Sequence, residues 1–199
     1  MTFKKSEQWL PAVIPGSVFV EIGSDRYEGS TTYFADLAVR NKSVLHTVDL
    51  LKEPQERINR DGIVPGIIWH QADGVIWSQT VYPTINKPIA CLYLDNFDYN
   101  WDVTQYDIHI EKQKHDYMEK WGIAMTNQNC QLVHLQQMIA LLPYMADQNV
   151  VVCDDTYLSN DCWIGKCGAV VVFLQANGYR IVDIENGRGY SYGVVLVRN

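Results

Sequence analysis

The sequence predicts an α/β protein: a three-layer sandwich whose mostly parallel, seven-stranded sheet is closed by an antiparallel C-terminal hairpin. Three observations predict it. Five apolar, β-favouring runs alternate with helical patterns, the sign of a parallel sheet with helices on its faces. Acids stand at the carboxyl ends of those runs. The last two runs are joined by Glu185-Asn-Gly-Arg-Gly, a glycine-rich turn.

The elements follow in order. Val18-Phe19-Val20-Glu21-Ile22 reads as a buried strand over Ser17–Ile22. Gly23 and Gly29 then frame a loop, and Ser30 or Thr31 caps a helix over Ser30–Asn41. In an open α/β sheet, ligands sit outside the carboxyl ends of the strands, and a helix N-terminus there offers free N–H groups. The loop Glu21–Thr31 therefore marks a small-molecule site. A second strand, Ser43–Asp49, ends in Asp49, and a short polar helix covers Glu53–Arg60. Gly66–Gln71 is the third strand, with one or two helical turns over Gly74–Val81. The fourth, Ile89–Leu94, is followed by Asp95 and by an irregular, aromatic-rich run over Asn96–Tyr106. In that run Phe97, Tyr99, Trp101 and Tyr106 suit either an acceptor wall or packing beneath the next helix.

Helices are expected over Ile108–Gly122 and Asn127–Ala146. In the second, Leu132, Leu135, Met138, Ile139 and Leu142 form a stripe at helical spacing, assigned to core packing. Asn149–Cys153 is the fifth strand, ending in Asp154-Asp155. A helix over about Ile164–Asn177 stops at Gly178. Tyr179–Ile184 and Tyr190–Val197 complete the sheet. The whole chain, 1–199, reads as one domain, with 1–16 as an N-terminal extension and 96–126 as an irregular insertion on the substrate side.

The net charge of −7 argues against general nucleic-acid affinity, which needs a basic footprint. No apolar run approaches the length of a membrane span, and the N-terminal residues lack the apolar core of a signal peptide. The expectation is a cytoplasmic protein that does not engage membranes, with a homo-oligomer left open. Five cysteines, an odd number, suit reduced thiols better than a disulfide framework. Cys162 and Cys167 lack the further ligands that a zinc site needs.

Acids accumulate at the strand ends: Glu21, Asp49, Asp73, Asp95 and Asp154-Asp155. In a parallel sheet they share one edge, where like charges are costly unless a cation joins them. A cationic cofactor, a metal, or both would serve. Asp49, 20 residues after Gly29, fits the ribose-binding acid of a dinucleotide site, an adenosine nucleoside site or a solvated cap alike. Asp95, Asp154 and Asp155 suit an all-oxygen site for a hard ion such as Mg²⁺, although Asp155 also suits a turn cap.

These features together resemble the class I S-adenosylmethionine-dependent methyltransferases. The nearest likeness is to small-molecule O-methyltransferases of the macrolide-sugar and cephalosporin-biosynthesis group. Glu21-Ile22-Gly23-Ser24 with Gly29-Ser30-Thr31 resembles the cofactor loop, and His46-Thr-Val-Asp49 the ribose-binding strand end. Leu92-Tyr-Leu-Asp95 and Val150-Val-Val-Cys-Asp154-Asp155-Thr156 resemble the fourth- and fifth-strand metal motifs. Trp163-Ile-Gly-Lys166 and the closing hairpin resemble the C-terminal portion.

The resemblance implies a Rossmann-like fold with S-adenosylmethionine as cofactor and a small-molecule acceptor. It implies that Gly23, Gly29 and Ser30 hold the methionine moiety, that Glu21 and Ser24 also belong to the cofactor site, and that Asp49 binds the ribose. Ala72 and Asp73 would lie near the adenine, with Asp95 also facing the cofactor. Asp95, Asp154 and Asp155 would hold Mg²⁺ or a similar ion that orients the acceptor hydroxyl and lowers its pKa. Asp98 stands where the family often carries a histidine base, and His70 is the second candidate base; a carboxylate's reference pKa of about 4 makes it the weaker one unless burial raises it. Two other readings stay open: a non-catalytic cofactor-binding or interaction protein on the same fold, and a nicotinamide-dependent oxidoreductase.

Overall fold

The sheet has the strand order β3-β2-β1-β4-β5-β9-β8. Its strands are β1 Val18–Ile22, β2 Leu45–Asp49, β3 Ile67–Gln71, β4 Ile89–Leu94, β5 Met145–Asp154, β8 Tyr179–Asn186 and β9 Tyr192–Arg198. The first five are parallel; β9 runs antiparallel to both β5 and β8. The computed structural model describes residues 2–10, 16–24, 27–99, 108–186 and 192–199. Asp25 and Arg26 of the β1 loop, Trp101, Tyr106 and Tyr190 lie outside the described residues. Among the described residues, no helix is long and apolar enough to cross a membrane.

Strand alternation sorts the side chains onto two faces. Val18, Val20, Ile22, Leu92, Leu94, Val151 and Cys153 pack on one face against Met138 and Leu141 of α7 (Asn127–Leu141) and Val170, Val171 and Leu174 of α8 (Gly168–Ala176). Phe19, Cys91, Tyr93, Val150, Val152 and Val195 face the other way. They meet Phe34, Ala35, Leu37 and Ala38 of α2 (Ser30–Arg40). The same face takes Phe3 of α1 (Thr2–Lys5), so the first residues of the N-terminal extension are docked into the core. Thr2 also donates to Glu185, 2.8 Å away. All five cysteine thiols are free; Cys162 is exposed and Cys167 buried.

Three expectations are corrected. The first concerns the stripe on α7. Its inward residues are Cys130, His134, Gln137, Met138 and Leu141, while Leu132 and Ile139 are 41% and 50% exposed. An apolar-only criterion missed this face because two polar side chains belong to it. Second, the helix expected to run to Ala146 ends in a short turn, Leu142–Tyr144, where Pro143 removes a helical N–H donor. Met145 and Ala146 already belong to β5.

The third correction lies between β5 and α8. The segment Thr156–Gly165 forms a separate hairpin, β6 (Thr156–Ser159) and β7 (Cys162–Gly165), so the helix begins only at Gly168. Asn160 and Asp161 both take left-handed backbone, φ 48° and 60°, as a two-residue hairpin turn of this hand requires. Among the described residues the remaining helical segments are α3 (Glu53–Ile58), α4 (Gly74–Ile76), a π-helical turn (Trp77–Val81), α5 (Tyr82–Ile85) and α6 (Ile108–Trp121), with short 3-10 turns at Ser6–Trp9 and Asn59–Asp61.

Candidate functional site

Glu21 lies on the α2 face of β1, beside Phe19, and is fully buried. Its Oε1 accepts from Ser30 Oγ at 2.8 Å. Its Oε2 accepts from Thr31 Oγ1 and Thr47 Oγ1, both at 2.6 Å. Thr47 spends its one proton on Glu21, so Ser24 Oγ must donate in the 2.7 Å contact between Ser24 and Thr47. The carboxylate thus fastens the first turn of α2 and the loop after β1 to β2. Gly29, at φ 85°, opens that turn. Gly23, at φ 94°, is held by closer contact: an added Cβ would lie 2.4 Å from the Asn96 backbone nitrogen. Its amide donates to Val48 O across the sheet.

Outside the ends of β1 to β4 lies a narrow cavity enclosing about 40 Å³ of free space. Asp49, Ala72, Asp73 and Asn96 supply its polar and small walls; Phe97, Tyr117 and Trp121 supply an aromatic one. Asp49 accepts from Ser24 N at 3.1 Å and Leu51 N at 2.8 Å, which joins the two loops across its carboxylate. Asp73 caps α4, its Oδ1 accepting from Val75 N and Ile76 N at 2.9 Å. Behind the cavity, the buried Asn96 Oδ1, both ends of the Gln137 amide and His134 Nε2 have no hydrogen-bond partner among the described residues. An added Cβ on Gly74, which lines the cavity, would sit 2.7 Å from Gln137 Nε2. Burial pushes the His134 imidazole down to about 4, so it is neutral, with Nδ1 2.7 Å from Cys130 O.

Beside the cavity the acids converge. Ligand oxygens of Asp95, Asp154 and Asp155 lie within 4.8 Å of one another. The cation among them is Lys166: Nζ is 2.6 Å from Asp95 Oδ1 and 3.2 Å from Asp155 Oδ2. Burial by itself would lower the Lys166 pKa; Asp95, Asp155 and Asp154 outweigh it and hold the ammonium well above its ordinary value. Burial raises Asp155 as well, against the pull of Lys166. Asp154 is held well above the usual carboxylate range, by burial first and then by Asp95 and Asp155. Tyr93 OH donates to the other Asp95 oxygen at 3.2 Å.

In sequence, neither a protein-family model nor a curated protein matches the chain. Solved structures that share its architecture include the following three. A Streptococcus mutans protein in complex with SAH is 10% identical, with a TM-score of 0.56, over 100% of this chain and 98% of that one. An rRNA methylase from Streptococcus thermophilus is 9% identical, with a TM-score of 0.57, over 100% and 97%. Magnesium protoporphyrin IX methyltransferase from Synechocystis PCC 6803, with bound SAM, is 13% identical, with a TM-score of 0.50, over 100% and 78%. This is the class I S-adenosylmethionine-dependent methyltransferase fold. At these identities the likeness fixes the fold.

On the methyltransferase fold, the residues expected from sequence separate into three groups. Asp49, Ala72 and Asp73 line the cavity together, and Asp95, Asp154 and Asp155 form the neighbouring acidic cluster. Glu21, Ser24 and Ser30 lie buried behind the loop that Gly23 and Gly29 shape. Tyr27 is 80% exposed and stacks under the Arg57 guanidinium, 4.5 Å from the ring centroid, so it does not crowd the cavity. His70 stacks on His46, its Nε2 2.9 Å from His46 Nδ1, and meets Trp77 at a tilt; burial lowers its pKa. Asp98 accepts from Gln113 Nε2 at 2.5 Å and lies 3.5 Å from Tyr117 OH. Lys166, Asn96, His134 and Gln137 were missed. Lys166 was visible in the sequence as the one cation close to Asp154-Asp155, after a hairpin turn. The other three gave no periodic sign.

The residues present fit the cofactor of this fold. The unpartnered Asn96 Oδ1 offers a polar contact at the cavity wall, Gly23 lets the loop after β1 pack closely on the chain after β4, and the acidic edge complements a sulfonium charge. They do not fit a resident divalent ion, because the Lys166 ammonium stands against two of its three oxygen donors.

Proposed function

We propose that the protein transfers a methyl group from S-adenosylmethionine to a hydroxyl of a small-molecule acceptor. The observation that carries the reading is the cavity at the carboxyl ends of β1 to β4, with the Asp49 carboxylate at its rim. When bound, the cofactor supplies an electrophilic methyl on a sulfonium. Asp49, which already accepts from the amides of Ser24 and Leu51, would also accept the ribose hydroxyls. Ala72 and Asp73 would border the adenine. Asp95, one oxygen of which is held by Lys166, would border the cofactor on the same edge.

Asp98, steadied by Gln113, is the candidate base for the acceptor proton. The remaining work is alignment of acceptor oxygen and methyl, which these fixed groups provide without a metal step. The net charge of −7 favours a small acceptor over a nucleic acid.

Isothermal titration with S-adenosylhomocysteine tests the reading. Binding is expected, weakened by roughly 10- to 100-fold in Asp49→Ala, the loss of hydrogen bonds to a charged group. Asp155→Ala should weaken it less. No binding at millimolar ligand overturns the proposal, and equal effects overturn the division of roles. Release of S-adenosylhomocysteine across a panel of hydroxyl-bearing acceptors then tests transfer itself.

A further inference from the structure

We infer that Lys166 is the resident cation of the acidic edge. Its ammonium fills the place a divalent ion would need among Asp95, Asp154 and Asp155, so the native chain takes no metal there. Removing the ammonium turns the three acids into a site for a hard divalent ion.

The geometry carries this. Oxygens that share a Mg²⁺ or Mn²⁺ ion lie roughly 2–2.3 Å from it, and three carboxylates within 4.8 Å of one another could converge on one. Yet the ammonium already lies 2.6 Å from Asp95 Oδ1 and 3.2 Å from Asp155 Oδ2. An ion on those oxygens would have to share them with a fixed positive charge in a poorly solvated place, where repulsion is weakly screened.

Lys166 is also delivered there by its backbone. Its side chain is 8% exposed. Its amide donates to Asp155 O at 3.0 Å, and the next amide, Cys167 N, donates to Thr156 Oγ1 at 3.0 Å. Gly165, at φ 94°, lets the hairpin close on Asp155: an added Cβ would lie 1.9 Å from Asp155 O. The β6–β7 hairpin thus returns the chain so that Lys166 sits beside the acid it neutralises. Lysine suits the role as a compact point charge with three donors.

The test compares native protein with Lys166→Met by Mn²⁺ titration, read by electron paramagnetic resonance and by thermal shift. Native protein should bind no Mn²⁺ at this edge, and its Tm should not respond to EDTA or millimolar Mn²⁺. Lys166→Met should bind one Mn²⁺ per chain. Its Tm should rise by roughly 5–10 °C with Mn²⁺ at about 100 times its Kd. Adding Asp155→Asn should abolish that gain. Stoichiometric Mn²⁺ on the native chain, with Tm lost to EDTA, overturns the inference, as does a folded Lys166→Met that binds none. If Lys166→Met folds only in the presence of Mn²⁺, the inference stands; if Mn²⁺ does not rescue it, the inference fails. No readout uses the cofactor, so the outcome is separate from that of the methyltransferase reading.

Discussion

Glu21→Ala probes the bond network on which the cofactor loop rests. Glu21 accepts from three hydroxyls, and Ser30, Thr31 and Thr47 are all fully buried. Removing the carboxylate leaves Ser30 and Thr31 without that acceptor, where each unmet hydroxyl costs about 1–3 kcal/mol. Thr47 retains Ser24, so its loss is smaller. The vacated space adds a cavity cost, and relief of the buried charge offsets part of the total. The net expectation is a loss of about 3–5 kcal/mol, a large share of the 5–15 kcal/mol typical of a domain. At this chain length each kcal/mol moves Tm by roughly 2–4 °C, so Tm should fall by roughly 6–20 °C.

Glu21→Gln should cost less, about 1–2 kcal/mol. With the amide oxygen toward Thr31 and Thr47 and the amide nitrogen toward Ser30, whose hydroxyl can turn to accept, all three bonds survive without the charge. Urea unfolding followed by circular dichroism, with an unchanged m-value, gives both numbers. An alanine variant within about 1 kcal/mol of native, or a glutamine variant as unstable as alanine, refutes the network argument.

Other expectations follow from the same geometry. Gly23→Ala should destabilise by roughly 2–4 kcal/mol and weaken S-adenosylhomocysteine binding, because the new Cβ meets the Asn96 backbone at 2.4 Å with φ at 94°; a near-native Tm counts against this contact. The raised folded pKa of Asp154 means its contribution is intact below about pH 4 and declines as pH climbs toward that folded value. Asp154→Asn should therefore raise Tm at pH 8, with the gain vanishing near pH 4, and a gain independent of pH would contradict the assignment. Tyr27→Ala should change S-adenosylhomocysteine affinity by less than about twofold, as for an exposed side chain outside the cavity; titration reads this directly.

Much of the fold was legible because strand alternation and turn chemistry are local. Val18–Ile22, Leu45–Asp49, Ile67–Gln71 and Ile89–Leu94 each fall inside a segment expected from sequence. The antiparallel ending was readable from its turn residues. The hairpin at Thr156–Gly165 was not foreseen, and its last residues, Ile164 and Gly165, are apolar or small enough to have been read as the start of the following helix. On α7 the inward face contains His134 and Gln137, and a search for apolar periodicity cannot find polar residues whose burial is set by neighbours distant in sequence.

The sequence by itself determined that carboxylates would gather where β4 and β5 end, since a parallel sheet brings its strand ends to one edge. It also established that such a gathering needs positive charge. Which charge was decided only by tertiary structure. Lys166 is 71 residues from Asp95 in the chain, and it reaches that acid because Gly165 lets a hairpin fold back on Asp155. Likewise Glu21 read as a cofactor ligand by its place in a motif. The pleat turned it away from the cavity, toward three hydroxyls that only the packed sheet and α2 bring together.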